Sequence, residues 1–224
     1  MIGIIAAMDL EVEAIIQQAE VIKKEIHGIT FYEGTLAKQN VIIMKSGVGK
    51  GNAAMSTTIL NEHYALEAII NIGTAGGLKP EEQILDAVLS ERVVQHDFDT
   101  SAVDGDEGIG MYFDADVALL QVCKEVLEGL KVKVHQGLVA SGDQFIAGEE
   151  KLKQLMQKFP EAMCAEMEAG AIAQVCTHYH IPFVILRSLS DVACHKDSHM
   201  DFIEYAKHAS ERSAQFCFEF MRKW

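Results

Sequence analysis

Asp191 stands at the end of an apolar run from Ile181 to Leu186, behind Ser188 and Ser190, in a pattern that predicts a buried strand begun by Pro182. In open α/β sheets ligands bind in the crevice beyond the strand ends, so an acid delivered there is a candidate for proton transfer. The same Ser/Asp cluster would also serve as a turn or a helix cap. Glu166 and Glu168 bracket Met167 among small and apolar residues, where a charged side chain needs a partner or a chemical role. The plainer alternative is that they complement the dipole of the helix that follows. Glu11 falls in the first turn of a helix opened by Asp9, a position acidic residues favour for the same dipole reason, and Glu13 fits that role as well. General acid–base chemistry is what such carboxylates offer, and the local pattern leaves the structural readings open beside it.

The elements that must hold these residues alternate strand and helix. Residues 2–7 read as an inner strand, followed by a helix with Val12, Ile15, Ile16 and Ala19 on one face. Residues 29–36 and 40–45 read as a hairpin whose second strand enters a glycine-rich turn, Ser46-Gly47-Val48-Gly49-Lys50-Gly51, and then a helix beginning near Ala53. Residues 68–72 form another strand, ending in a second such turn, Gly73-Thr74-Ala75-Gly76-Gly77. A pair of glycine-rich turns at apolar strand ends suggests a crevice where backbone approaches a ligand, although glycines also relieve crowding at strand ends. Strands at 88–94 and 132–140, helices at 117–130 and 151–159, and a last helix from about Met200 carrying Phe202, Ala206, Ala209, Phe216 and Phe220 complete the pattern. Phe145 and Ile146, apolar residues in a polar loop, either cover the core or wall a pocket. With no Pro-, Ser- or charge-rich linker, the alternation predicts one α/β domain over residues 1–224.

Several function classes are excluded. Lysine and arginine number 19 against 33 aspartates and glutamates, a net charge of −14, which opposes binding to nucleic acid or an anionic membrane. No apolar run approaches the roughly 20 residues that span a bilayer, and the N-terminus lacks the positive region of a secretory signal. Five cysteines without a C-x-x-C pair fit a reduced cytoplasm and argue against a disulfide framework or structural zinc. Lys50 is followed by Gly51 rather than Ser or Thr, so the first glycine turn is not a phosphate loop, and neither turn fits G-x-G-x-x-G. The acidic stretch from Asp104 to Gly108 lacks the calcium-loop pattern. His178 and His180 are two apart, His195 and His199 are four apart but lack the glutamate of H-E-x-x-H, and no metal is expected.

Five pieces, taken with their order, carry a resemblance: Gly3 to Met8 with Glu11; Ser46 to Lys50; Gly73 to Gly77; Ser141-Gly142-Asp143-Gln144-Phe145-Ile146; and Glu166-Met167-Glu168-Ala169 with Ser188-Leu189-Ser190-Asp191. Over essentially the whole chain this set resembles the bacterial 5′-methylthioadenosine/S-adenosylhomocysteine nucleosidases of the purine nucleoside phosphorylase superfamily. The resemblance implies a three-layer αβα domain with a mixed, twisted central sheet, a homodimer, and hydrolysis of a 5′-thio-substituted adenosine to adenine and a thioribose without metal or organic cofactor. By that resemblance Asp191 protonates adenine N7, Glu11 positions and deprotonates the attacking water, and Glu168 accepts hydrogen bonds from the ribose hydroxyls. Met167 lies along the sugar, Phe145 stacks on adenine, and the Ile146 backbone binds the base edge. Met8, Val48 and Phe202 line the sugar and 5′-thio region, while Thr74, Gly76 and Ser190 complete the site. A partner subunit would close the 5′ pocket through the region from Thr100 to Phe113. Glycosidic cleavage through an oxocarbenium-like state needs an acid at the leaving group, a base for water on the other face and negative charge near the sugar, so three carboxylates suit it. Asp191 must then have a raised pKa, to which burial and a hydrogen bond from Ser190 would contribute.

The sequence departs from the family pattern at Thr74, where serine is expected, and in the segment around Cys194 and His195, about one residue longer than expected. Three rival readings follow. A nucleoside phosphorylase would need a cation for phosphate, and Asn71 to Thr74 supply no arginine. A futalosine-type nucleosidase would share the scaffold. A non-catalytic nucleoside-binding protein would have no need of a base for water.

Overall fold

The computed structural model describes the backbone of residues 1–193 and 198–224 and the side chains of residues 1–193 and 205–224. In chain order the first half comprises β1 (Ile2–Ala6), α1 (Asp9–Ile16), β2 (Ala19–Ile26), β3 (Ile29–Leu36), β4 (Gln39–Lys45), α2 (Lys50–His63), β5 (Ala68–Gly77) and β6 (Ala87–Asp99). A short α3 (Ser101–Asp104) and a 3₁₀ turn (Gly105–Gly108) lead to β7 (Ile109–Asp114), α4 (Val117–Leu130), β8 (Val134–Ser141), α5 (Glu149–Lys158), β9 (Ala162–Glu166), α6 (Ala169–Tyr179), β10 (Phe183–Val192) and α7 (Ser198–Lys223).

The strands form one mixed sheet in the order β10-β6-β8-β9-β5-β1-β4-β3-β2, with β7 added beside β6. Because β10 also pairs in parallel with β5, the strands β5, β9, β8, β6 and β10 close on themselves, and β1 to β4 extend from that ring as an open wing. β1, β4, β5 and β10 run parallel, so their carboxyl ends emerge on the same side. Every residue of β1 and β10 is buried, which explains the apolar runs of β1 and of the first four residues of β10: helices cover both faces of the sheet. Asp116 accepts the Leu119 N–H at 2.9 Å and starts α4 at the residue expected.

The α/β class and the mixed sheet agree with expectation, and three boundaries correct it. α1 ends at Ile16, and Ala19 begins β2, a charged edge strand whose pattern is dominated by exposed residues and which the apolar periodicity did not announce. Gly73 to Gly77 are not a turn: β5 continues through them, because β10 pairs with it as far as Val192 and β9 pairs at Gly76 and Gly77. Asp191 falls at the end of β10, as expected, after a register shift between Leu189 and Asp191. The acidic stretch from Asp104 folds into short helical turns, followed by the unanticipated β7.

Candidate active site

Glu11 projects from the first turn of α1 and is 1% exposed, whereas Glu13 points to solvent, which separates the two residues that local pattern could not. One carboxylate oxygen accepts the N–H groups of Ala7 (2.9 Å) and Met8 (3.0 Å), at the end of β1. The other accepts the Thr74 N–H at 2.9 Å and the Thr74 hydroxyl at 3.3 Å, so Glu11 ties β1 to β5. Gly73 is needed beside it: a Cβ there would lie 3.1 Å from Glu11 Oε1 and 3.0 Å from Arg187 Nη1.

Asp191 is likewise 1% exposed. Its Oδ1 accepts the Ser190 hydroxyl at 3.1 Å, and that hydroxyl also lies 3.4 Å from the Ala75 carbonyl. Gly76 faces it across the strand pair, where a Cβ would approach Asp191 Oδ2 to 3.1 Å.

Glu168 caps the start of α6 and accepts the Gly49 N–H at 2.9 Å, bringing the β4–α2 connection to the sheet end. Gly47 and Gly49 hold φ of 81° and 94°, left-handed values that let this connection turn its amides inward. Burial pushes the Glu168 carboxyl up to about 7, reinforced by the negative charge of Glu166 and opposed by Arg187 and the Gly49 N–H. Glu166, two residues earlier, serves the fold. It accepts the N–H groups of Glu168 (3.0 Å) and Ala169 (2.8 Å) and pairs with the buried Arg187. Arg187 also donates to Asn71 Oδ1 at 2.7 Å.

These residues surround one cleft of about 430 Å³. Met8, Val48, Thr74, Gly76, Phe145, Ile146, Met167 and Ser190 line it together with Glu11, Glu168 and Asp191. The Phe202 side chain, Cys194 and His195 lie outside the described residues. His178 and His180 lie at the end of α6, away from the cleft lining. Gln144, Glu166 and Arg187 line the cleft although sequence reasoning did not assign them to it. A charged Arg187 directly after the apolar run at 183–186, and a second glutamate beside Glu168, were the signals available for two of them.

The phosphorylase superfamily model matches residues 1–222. The 5′-methylthioadenosine/S-adenosylhomocysteine nucleosidase of Oceanobacillus iheyensis is 39% identical over 227 aligned residues, covering 99% of each chain. The chain belongs to this nucleosidase family. The nucleosidase of Neisseria meningitidis, solved in complex with methylthio-immucillin-A, superposes with a TM-score of 0.94 at 32% identity, covering 100% of this chain and 99% of the other. The futalosine hydrolase of Helicobacter pylori superposes with a TM-score of 0.93 at 27% identity, covering 100% and 97%. Family membership agrees with the resemblance carried by the five motifs, and the three carboxylates to which that resemblance gives roles, Glu11, Glu168 and Asp191, are all found on the cleft wall.

Proposed function

We propose that this nucleosidase-family chain hydrolyses the N-glycosidic bond of 5′-methylthioadenosine and S-adenosylhomocysteine, releasing adenine with 5-methylthioribose or S-ribosylhomocysteine. The observation that carries the reading is the convergence of three buried carboxylates, from α1, the start of α6 and β10, on one cleft large enough for a nucleoside. Asp191 is the general acid. It gives its proton to adenine N7 as the bond between N9 and C1′ breaks and its electron pair moves into the base. Ser190 supports both states of the acid: its single hydroxyl proton points to Asp191 when that is ionised and has the Ala75 carbonyl as an acceptor when Asp191 is protonated. Glu11 is the base, taking a proton from the water whose oxygen bonds to C1′. Its four hydrogen bonds from Ala7, Met8 and Thr74 hold it in one orientation. Glu168 accepts the 2′- and 3′-hydroxyls and supplies negative charge beside the cationic sugar. Met167 lies along the ribose, Phe145 stacks on the base, and the Ile146 backbone meets the base edge. Met8 and Val48 line the sugar and 5′ side, where Phe202 would join them, and Thr74 and Gly76 complete the lining.

Hydrolysis is favoured over phosphorolysis by the charge of the cleft. Arg187 is the one cation among the lining residues described, and its charge is already offset by Glu166, which shares the guanidinium Nη2 with Asn71. The likeness to the futalosine hydrolase keeps one second reading, an aminodeoxyfutalosine-type substrate with the same adenine and ribose. The chain acts as one catalytic domain over 1–224, without metal or organic cofactor, in the cytoplasm. It works as a homodimer whose partner covers the 5′ side through the region from Thr100 to Phe113. Val103 in that region is 87% exposed, an apolar side chain that a second copy would cover.

Incubation with methylthioadenosine, with and without phosphate, tests the reaction. Free adenine and methylthioribose in both conditions are expected. Methylthioribose 1-phosphate formed only with phosphate would replace hydrolysis by phosphorolysis and remove the role of Glu11, while adenine from aminodeoxyfutalosine alone would favour the second reading. Light scattering during size-exclusion chromatography gives the oligomeric state.

A further inference from the structure

Val48 and Phe145 line the cleft from two connections that the sheet does not join. Val48 lies between β4 and α2, Phe145 between β8 and α5, and β1, β5 and β9 stand between β4 and β8 in the sheet. Three polar side chains bridge the gap. Asp143 Oδ1 accepts the Lys50 N–H at 2.7 Å, fastening the two connections to each other. Asp97, near the end of β6, holds both from behind: Oδ1 pairs with Lys50 Nζ at 2.5 Å and Oδ2 accepts the Asp143 N–H at 3.0 Å. Lys50 Nζ also reaches Gln95 Oε1 at 3.2 Å.

The bridge is more than a surface ion pair. The side chains of Lys50 and Asp97 are 18% and 19% exposed, so solvent screens the pair only in part. Burial would raise the Asp97 carboxyl, but the Lys50 ammonium and the Asp143 N–H outweigh it and hold the group below the usual carboxylate range. The neighbouring residue gives the bridge its leverage. Gly49, just before Lys50, donates its N–H to Glu168, so the connection is pinned at adjacent amides by Glu168 from inside the cleft and by Asp143 from outside.

The geometry points to Lys50, Asp97 and Asp143 as positioning residues: they form a polar clamp that sets the distance between the Val48 wall and the Phe145 wall before substrate enters. This rests on the nucleoside reading of the cleft, in which one ligand touches both walls. The clamp touches neither Glu11 nor Asp191, whose bonds run to Ala7, Met8, Thr74 and Ser190. Opening it therefore weakens substrate capture and leaves the two proton-transfer groups in place.

The oxygen count makes the clamp testable. Asp143 uses one carboxylate oxygen, so Asp143→Asn retains the acceptor and Asp143→Ala does not. Asp97 uses both oxygens, so Asp97→Asn, with one, breaks half of its contacts. Hydrogen–deuterium exchange of the full chain, read on peptides covering 46–50 and 142–146, is combined with steady-state kinetics on methylthioadenosine. Asp143→Ala and Asp97→Asn are expected to speed exchange in both segments by about tenfold, an opening of local rather than global kind. KM should rise about tenfold with kcat within about twofold, and Asp143→Asn should behave as the parent chain. Faster exchange confined to the altered segment, a fall in kcat at unchanged KM, or failure of Asp143→Asn to rescue would overturn the clamp. If Asp143→Ala does not fold, Asp97→Asn carries the test. A parent chain that releases no adenine would refute the catalytic reading, and the exchange pattern would still decide the clamp.

Discussion

Glu166 accepts the N–H groups of two residues and the Arg187 guanidinium, whereas Glu168, two positions on, accepts one N–H from Gly49 and faces the cleft. The same contrast runs through the whole site. On its floor, Glu11, Glu166, Arg187 and Asp191 sit in or against strands that pair on both sides, and their orientations follow from strand register. At the rim, Val48 and Phe145 are 50% and 39% exposed and depend on connections held by a few side chains. Proton transfer needs reacting atoms fixed to fractions of an ångström, which a closed ring of strands supplies. Recognition needs walls that admit and release a ligand, which connections supply.

Substitutions on the floor should break this contrast most strongly. Asp191→Asn and Glu11→Gln each remove one proton-transfer group and are expected to lower kcat by about 10²–10⁴-fold, with the thermal transition nearly unchanged for Asp191→Asn and lowered for Glu11→Gln, whose amide nitrogen would face N–H donors on one side. Rapid-quench assay of adenine release beside a melting curve checks both. Unfolding of either variant would mean that its hydrogen bonds serve the fold more than the reaction. Glu166→Ala should do the reverse. It strands the buried Arg187 charge and frees two amides at the start of α6, at a cost of about 3–5 kcal/mol in unfolding free energy measured with urea. A loss below about 1 kcal/mol would show that Arg187 finds another partner and that the floor is less rigid than its bonding implies.

The floor was also the part least legible from sequence. Apolar runs disclosed β1, β4, β5 and β10, and amphipathic periodicity disclosed α4, because burial on one or both faces leaves local marks in sequence. The continuation of β5 through five residues rich in glycine left no such mark. It is produced by β9 and β10, strands distant in the chain that supply its hydrogen bonds. The choice between Glu11 and Glu13 was settled in the same way, by the Thr74 amide that only tertiary structure brings near. β2 escaped notice because an exposed, charged edge strand lacks the alternation on which detection rests. Motif order nevertheless picked out the cleft residues, since identity at separated positions carries information that local periodicity does not.

Glu168 offers a smaller effect that depends on pH. Its carboxyl is raised from an ordinary 4.5 to about 7, chiefly by burial, so folding favours the protonated form. The stability it contributes is fully present below about pH 4.5 and is lost as pH rises through about 7. A ribose diol that donates to the ionised carboxylate pulls the other way, so ligand binding should release a proton below about pH 7. Calorimetry of a non-hydrolysable methylthio nucleoside in buffers of different ionisation enthalpy would detect that proton, and Glu168→Gln should remove it. Equal proton release in the variant would assign it to another group and leave Glu168 with its bond from Gly49 alone.

Phe145→Leu should give the mildest change and sharpen the contrast from the rim side. The ring is 39% exposed, so its loss should alter unfolding free energy by no more than about 0.5 kcal/mol. Stacking on a base is worth about 1–3 kcal/mol when an aromatic side chain is lost, and leucine keeps part of the apolar contact, so KM should rise by about fivefold. Since Phe145 touches no proton in flight, kcat should stay within about twofold. The informative comparison is with Asp97→Asn, which leaves the ring intact and frees the connection that carries it. A similar rise in KM from both would mean that the position of the ring, set from β6, matters as much as its presence. If only Phe145→Leu raises KM, the base is held by the ring wherever the connection rests, and the rim tolerates more motion than its hydrogen bonds imply.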